Sequence, residues 1–159
     1  MRVSTKGRYG TRAMLDVALH ADEGLVHLSD VAERQEISKK YLEHLVARLE
    51  AQGLLRAVRG TGGGVGLAKS PPEITILDIL YTLEGSLAPV ECVDRPEVCS
   101  RCANCSARRL WAELGGMITG FLRSVTLEEL CERQRTIDSQ LPPTPFESGH
   151  LRQGGGHER

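Results

Sequence analysis

Along the chain, apolar positions fall into runs of helical period and two short extended runs, and their order predicts a fold. Tyr9, Ala13, Met14, Val17 and Ala18 lie at helical spacing within 5–20, with Gly24 as a stop. Val31 and Ala32 face inward from a short second helix over 29–35. Ser38 has the chemistry of an N-cap, because its hydroxyl accepts a bond from a backbone N–H that the helix leaves unpaired. Behind it Tyr41, Leu42, Leu45, Val46 and Leu49 form one apolar face of a third helix that ends at Gly53. Two apolar runs, 54–59 and 65–69, flank the turn Gly60-Thr61-Gly62-Gly63-Gly64 and predict a β-hairpin, closed off by Pro71-Pro72. Helix, short helix, tight turn, capped helix and hairpin, in that order, predict a winged helix-turn-helix.

Beyond the prolines, Ile74, Leu77, Ile79, Leu80 and Leu83 predict another helix ending near Gly85, followed by a loop over 86–105. Leu110, Trp111, Leu114, Met117, Ile118, Phe121 and Leu122 then make a continuous apolar stripe over roughly three to four turns. Such a stripe is too long and too apolar for a peripheral helix, and it predicts a dimerisation helix; a core helix of a monomer is the alternative. Gly115-Gly116 within it cost about 1 kcal/mol each unless a close backbone approach offsets the loss. Thr126 and Glu129 have capping-box spacing and open a last short helix carrying Leu127, Leu130 and Cys131. The fold class is therefore mainly α with a small β-hairpin wing. Residues 1–72 form the winged helix-turn-helix, 73–138 the loop and dimerisation helices, and 139–159, rich in Pro, Gly and polar residues, a disordered tail. No internal repeat is visible.

Composition narrows the class. A chain of 159 residues with 40% hydrophobic content can bury a core, which excludes wholesale disorder. No apolar run approaches the roughly 18–20 residues of a membrane span, and the N-terminus has no signal-peptide core, so a cytoplasmic protein with no membrane partner is expected. An aromatic content of 4% argues against a single-strand binder that works by base stacking. The net charge of -1 hides an asymmetry: residues 1–70 hold eleven Lys/Arg against eight Asp/Glu, and 71–138 hold seven against eleven. The basic excess sits on the half that predicts a DNA-binding fold.

In a helix-turn-helix the second helix of the motif enters the major groove of double-stranded DNA. Here its first turns offer Ser38, Lys39, Lys40, Tyr41, Glu43 and His44. Ser38, Lys40 and Tyr41 suit phosphates, Lys39 a guanine edge and Glu43 the N4 amine of cytosine. Arg59 at the hairpin tip suits a narrow minor groove, and Lys6, Arg8 and Arg12 suit flanking phosphates. A merely solvated helix face is the plainer reading of these charges. Residues 63–70 also approach a phosphate-loop pattern, but Ala68 stands where the second glycine belongs and the chain has no room for a nucleotide-binding sheet.

Cys92, Cys99, Cys102 and Cys105 lie within fourteen residues. Thiolates at this density suit an iron–sulfur cluster or tetrahedral zinc, although zinc sites usually pair two knuckles across a longer spacer. Ser106 is expected to cap the long helix, whose dipole, with Arg108 and Arg109, favours a thiolate at Cys105. Cys131, on an amphipathic helix, is expected to be a buried apolar residue. No Ser/His/Asp or paired-carboxylate constellation stands out, so an enzyme is not expected.

Met1-Arg2 with Lys6-Gly7-Arg8-Tyr9, Ala13 to Leu19, Ser38 with Tyr41-Leu42-Glu43, Val58-Arg59-Gly60 with Gly62-Gly63-Gly64, and the cysteine loop together resemble the IscR-like winged-helix transcriptional regulators. This iron–sulfur family also includes NsrR and CymR, and the resemblance runs from residue 1 to about 135. It implies a homodimer that binds an operator and whose cluster occupancy alters operator choice. It also implies Cys92, Cys99 and Cys105 as ligands, with a 2Fe–2S cluster expected over 4Fe–4S. Two departures stand out. Arg108 replaces the family's histidine ligand, and Arg8 stands where NsrR-like members have an aspartate; neither guanidinium can bind iron. Cys102 is additional and is the expected fourth ligand; the alternative is that it is a spectator and another oxygen or nitrogen donor completes the site. The cluster is then expected between the long helix and the winged domain, where its binding or loss reorders 86–105 and shifts the DNA-reading heads. A winged-helix regulator sensing through zinc or thiol oxidation is the alternative, with a small redox protein behind it.

Overall fold

The computed structural model describes residues 3–140; the tail expected from Ser139 falls outside these except for Ser139 and Gln140, which end a helix. Helix α1 (Thr5–Leu19) starts at Ser4, whose side chain accepts the Lys6 N–H, and buries Ala13, Met14, Val17 and Ala18. Helices α2 (Leu28–Gln35) and α3 (Lys39–Ala51) follow. Between them Glu36 takes a left-handed φ of 53°, while the N–H groups of Glu36 and Ile37 bond the carbonyls of Glu33 and Ala32. These bonds satisfy the end of α2 and let the chain turn within three residues into α3. Ser38 caps α3 by accepting the Tyr41 N–H at 3.3 Å, as its position predicts.

Strands β1 (Leu55–Val58) and β2 (Gly64–Leu67) pair antiparallel, Leu55 opposite Leu67 and Val58 opposite Gly64. Val26 adds a one-residue third strand through two 2.8 Å backbone bonds with Val65, which no sequence pattern announces. That approach explains one glycine, since a Cβ at Gly64 would sit 2.6 Å from the Val26 carbonyl oxygen. The phosphate-loop alternative fails here: Gly64–Leu67 is a strand, and a short 3-10 turn, Pro71–Glu73, follows instead of an α-helix.

Helix α4 (Ile76–Glu84) has a reciprocal Thr75–Asp78 cap. The cysteine segment contains one turn of α-helix, α5 (Glu91–Asp94), and two 3-10 turns, Pro96–Val98 and Cys102–Asn104, before α6 (Ser106–Ser124) and α7 (Leu127–Gln140). One apolar cluster runs from Met14, Leu42, Leu49 and Leu55 through Ile79 and Leu83 to Leu127 and Cys131, so α1, α4 and α7 share a core across the proline pair. Two long-range devices fasten it. The Glu84 carboxylate at the end of α4 accepts the N–H groups of Ser4 (2.9 Å) and Gly7 (3.0 Å), closing the start of α1. The chain leaving α6 returns to the entry of α4, where Ile76 N–H bonds Val125 O (2.9 Å) and Leu127 N–H bonds Ile74 O (2.8 Å).

Helix α6 does not become a core helix. Gly115 alone along its length is buried, lying against Pro89, while Met117 is 74% and Phe121 61% exposed, and Leu110, Trp111 and Leu114 are also uncovered. The reading of this stripe as the interior of a monomer is therefore set aside. Gly116 meets nothing within 4 Å.

Candidate nucleic-acid interface and cysteine site

Helix α3 presents Ser38, Lys39, Lys40, Glu43 and His44 to solvent, with Leu42, Leu45, Val46 and Leu49 turned into the core. The same helix is thus held rigidly on one face and offered on the other. Its N-terminus, which favours anions, carries the two lysines. Lys39 and Glu43 share a groove of about 630 Å³ with Ser29 of α2 and Arg59 of the wing turn. The structure therefore brings together the recognition-helix and wing residues that the sequence singled out from separate segments.

The remaining candidates divide. Arg8 is exposed on α1, with its guanidinium 5.8 Å from the Tyr9 ring centre, and Lys6 is half-buried. Tyr41 is half-buried too, its ring edge-on to Tyr9 at 6.2 Å. Arg12 is engaged within the chain: its Nη2 donates to the Gln35 carbonyl at 2.7 Å and its Nε to Gln35 Oε1 at 3.0 Å, closing the end of α2. It acts as a helix cap from a neighbouring helix, alongside its exposure to solvent.

Sequence reasoning missed the group that fixes α2 on α1. Asp16 is 3% exposed and accepts Arg34 through Nη2 (2.6 Å) and Nε (3.0 Å) and Gln35 through Nε2 (2.8 Å). A carboxylate on the apolar face of a predicted helix was the available signal, because burial without such partners is costly. Through it the orientation of α2, and hence of α3, is tied to α1.

In the cysteine segment, Cys105 rather than Ser106 caps α6. Its Sγ accepts the Arg108 N–H at 3.4 Å, and Ser106 becomes the first helical residue. Either side chain can accept such a bond; the sulfur does so here because the helix begins one residue earlier than the serine rule places it. Cys92 is carried by α5, and its carbonyl accepts the Cys102 thiol at 3.8 Å. Partial burial raises the Cys102 thiol above its ordinary value, the Cys99 and Cys92 sulfurs add to this, and Arg108 opposes it. Cys99 is exposed and the other three loop cysteines are half-exposed. Cys131 is 2% exposed, and burial pushes its thiol up, which leaves it an inert core residue. Among the described residues, no three His, Cys, Asp or Glu side chains are drawn closely enough to hold a metal ion. The donor set itself suits a soft metal: four sulfurs within one short segment, none of them fully buried.

Arg108, which stands where the resemblance implies a histidine ligand, turns inward. Its Nε donates to the Cys92 carbonyl at 2.8 Å and its Nη2 to the Val93 carbonyl at 3.5 Å. It joins α6 to α5 in place of binding a metal.

A helical head with a two-stranded wing and a cationic recognition helix defines a winged-helix DNA-binding transcriptional regulator, here with a thiol-rich segment attached. The chain belongs to the Rrf2 family of iron-dependent transcriptional regulators, whose model matches residues 3–133. It is 46% identical over 138 residues to the HTH-type transcriptional regulator IscR of Photorhabdus laumondii subsp. laumondii, covering 87% of this chain and 84% of that one. The IscR of Escherichia coli O1:K1 / APEC is 41% identical over 138 residues, with 87% and 85% covered. Among solved structures, CymR, the global cysteine regulator of B. subtilis, superposes with a TM-score of 0.71 at 35% identity, covering 84% of this chain and 98% of that one. T. potens IscR gives 0.69 at 35% identity over 92% and 96%. No described helix is long and apolar enough to cross a membrane.

Proposed function

We propose that the chain is a homodimeric, cytoplasmic regulator whose binding to double-stranded operator DNA is set by an iron–sulfur cluster, 2Fe–2S in preference to 4Fe–4S, held by Cys92, Cys99, Cys102 and Cys105. One observation carries this reading. The thiol that closes the cysteine segment is also the cap of α6, so the candidate ligands and the exposed apolar helix are one continuous piece of chain. The relatives named IscR, and a family described as iron-dependent, support the same assignment.

The division of labour follows from the residues. Lys39, Lys40 and Ser38 meet phosphates and a guanine edge, Tyr41 is braced on Tyr9 beside them, and Glu43 discriminates a cytosine. Arg59, with Lys6 and Arg8 on the flank, adds groove and phosphate contacts. Leu110, Leu114, Met117 and Phe121, spaced by four, three and four, give α6 the seam of a helix pair, and a second copy of the chain covers it. A bound cluster would supply redox- and iron-sensitive chemistry, with Cys92, Cys99, Cys102 and Cys105 to hold it. Cys92 and Cys105 are the outermost of these, so drawing the four thiols together would shorten the span between α5 and α6 and change how α6 sits on α4.

Absorption spectra with iron and sulfide analysis on chain purified without oxygen test the proposal, followed by operator binding with and without the cluster. Chromophoric protein with matching iron and sulfide, and an operator preference that changes when Cys92, Cys99 and Cys105 become Ala, is the expected result. Identical binding by the variant and the loaded protein at every operator would falsify it. The exposure of Cys99 and the partial exposure of Cys92, Cys102 and Cys105 favour one second reading, a regulator that senses through zinc or thiol oxidation; colourless protein with stoichiometric zinc, or a reversible disulfide, selects it.

A further inference from the structure

We infer that Arg108 is the positioning residue of the cysteine site, locking the Cys92 turn onto the first turn of α6 and supplying the fixed positive charge beside the thiols. The inference rests on the proposed cluster reading and adds a role to a residue that cannot itself bind metal.

Three contacts converge on this one side chain and its backbone. The Arg108 N–H donates to Cys105 Sγ (3.4 Å), its Nε to the Cys92 carbonyl (2.8 Å) and its Nη2 to the Val93 carbonyl (3.5 Å). The Cys102 thiol donates to the same Cys92 carbonyl (3.8 Å). Helix α5 needs this help: four residues form a single turn, and a lone turn has little stability of its own. A planar guanidinium reaches two successive carbonyls at once, which a lysine ammonium does not, and it stays charged at every working pH. Arg109, exposed on the next position, makes none of these contacts.

Charge gives the second half of the argument. An iron–sulfur core held by four thiolates is a net anion and gains a further negative charge when one electron is added. A half-buried cation adjoining Cys92 and Cys105 therefore favours holding the core, and favours its reduced form most. The N–H bond to Cys105 Sγ acts in the same direction, since hydrogen bonds to ligand sulfurs raise the reduction potential.

The test compares full-length wild type, Arg108→Gln, Arg108→Lys and Arg109→Gln. Three properties are read: amide exchange over 91–95 in metal-free protein, the rate of cluster loss to an iron chelator after anaerobic reconstitution, and the midpoint of a redox titration. Arg108→Gln is expected to exchange faster over 91–95 with an unchanged far-UV spectrum. It is also expected to lose the cluster about 10–100-fold faster, as removal of an outer partner of a metal ligand typically does, and to titrate at a more negative midpoint. Arg108→Lys keeps the midpoint close to wild type but loses the cluster faster than Arg109→Gln, which behaves as wild type. If Arg108→Gln does not fold, the Arg108→Lys comparison carries the same requirement. Equal cluster loss and equal midpoints across the set overturn the role of Arg108, even if amide exchange differs, and leave the cluster reading standing. A wild-type chain that takes up no iron and sulfide overturns both.

Discussion

Replacing Gly10 with Ala should weaken this fold, although the same change in an open helix strengthens it. In isolation an interior Gly→Ala in a helix gains about 1 kcal/mol. Here a Cβ on Gly10 would lie 1.9 Å from Leu83 Cδ1, against 3.4 Å or more for ordinary contact. Leu83 or α4 must therefore retreat by about 1.5 Å, since carbon atoms rest about 3.5–4.0 Å apart. Leu83 is 0% exposed and packed on all sides, so the retreat is resisted. Overpacking of this kind costs about 1–3 kcal/mol, and a clash this deep belongs at the upper end, leaving a net loss of about 2 kcal/mol. Urea unfolding of the metal-free chain measures it, as a lower midpoint at unchanged slope. The decisive arm is a double-mutant cycle with Leu83→Ala. That change alone leaves a cavity costing about 2–5 kcal/mol, and the new methyl at position 10 partly fills it. The double mutant should then be more stable than the sum of singles by more than 1 kcal/mol, well beyond the scatter of about 0.5 kcal/mol for independent sites. Additivity within that scatter, or a stabilised single Gly10→Ala, refutes the close packing of α1 on α4.

Other expectations follow from the same contacts. Burial works to raise the Glu84 carboxyl, but bonds from Ser4 and Gly7, with Lys6 nearby, hold it below the ordinary carboxylate value. A depressed folded value adds stability above the unfolded value of about 4.3 and loses it as pH falls through the folded value. Glu84→Gln should thus cost about 1–2 kcal/mol at pH 7, and the gap should close below about pH 4 in a pH series of urea melts. At the DNA interface, Arg59→Ala should weaken all sites and lower the salt slope by about one, while Glu43→Ala should erase about 1–3 kcal/mol of discrimination at one base pair; fluorescence anisotropy against mutated operators reads both. Met117→Glu, which places a charge on a side chain 74% exposed in the single chain, should give monomers in sedimentation at micromolar concentration while leaving the unfolding midpoint of the monomer nearly unchanged.

What the sequence discloses here is mostly local. The Ser38 cap, the glycine turn and the period of α3 are each written within a few residues, and all three are present in the fold. The site that joins Lys39 and Glu43 to Arg59 is partly legible for the same reason, because the hairpin follows its helix directly. Contacts between distant segments are not. Glu84 bonds Ser4 across 80 positions and Asp16 bonds Arg34 across 18, and neither pair has a periodic signature. Glycine inside a helix ordinarily weakens it, and nothing local shows that Leu80 and Glu84 stand against Gly7 and Leu83 against Gly10. The Cys105 cap was misplaced by one residue because two adjacent side chains, Cys105 and Ser106, offer the same acceptor chemistry.

The backbone bridge between Thr75 and Thr126 has a mechanical consequence. It clamps the far end of α6 to the entry of α4, so the helix is no free arm swinging from the cysteine segment but a lever with a fixed fulcrum near Val125. Nineteen residues at 1.5 Å each make its working length about 28 Å. A tilt of about 10° at the fulcrum carries the Cys105 end through about 5 Å over that length. By the same ratio, on the proposed cluster reading a few ångströms of take-up among the sulfurs would become a small rotation where α6, α4 and α7 meet, and α4 there lies directly on the helix that carries Asp16. Small chemistry at the long end would thereby be geared down into a change of angle at the short one.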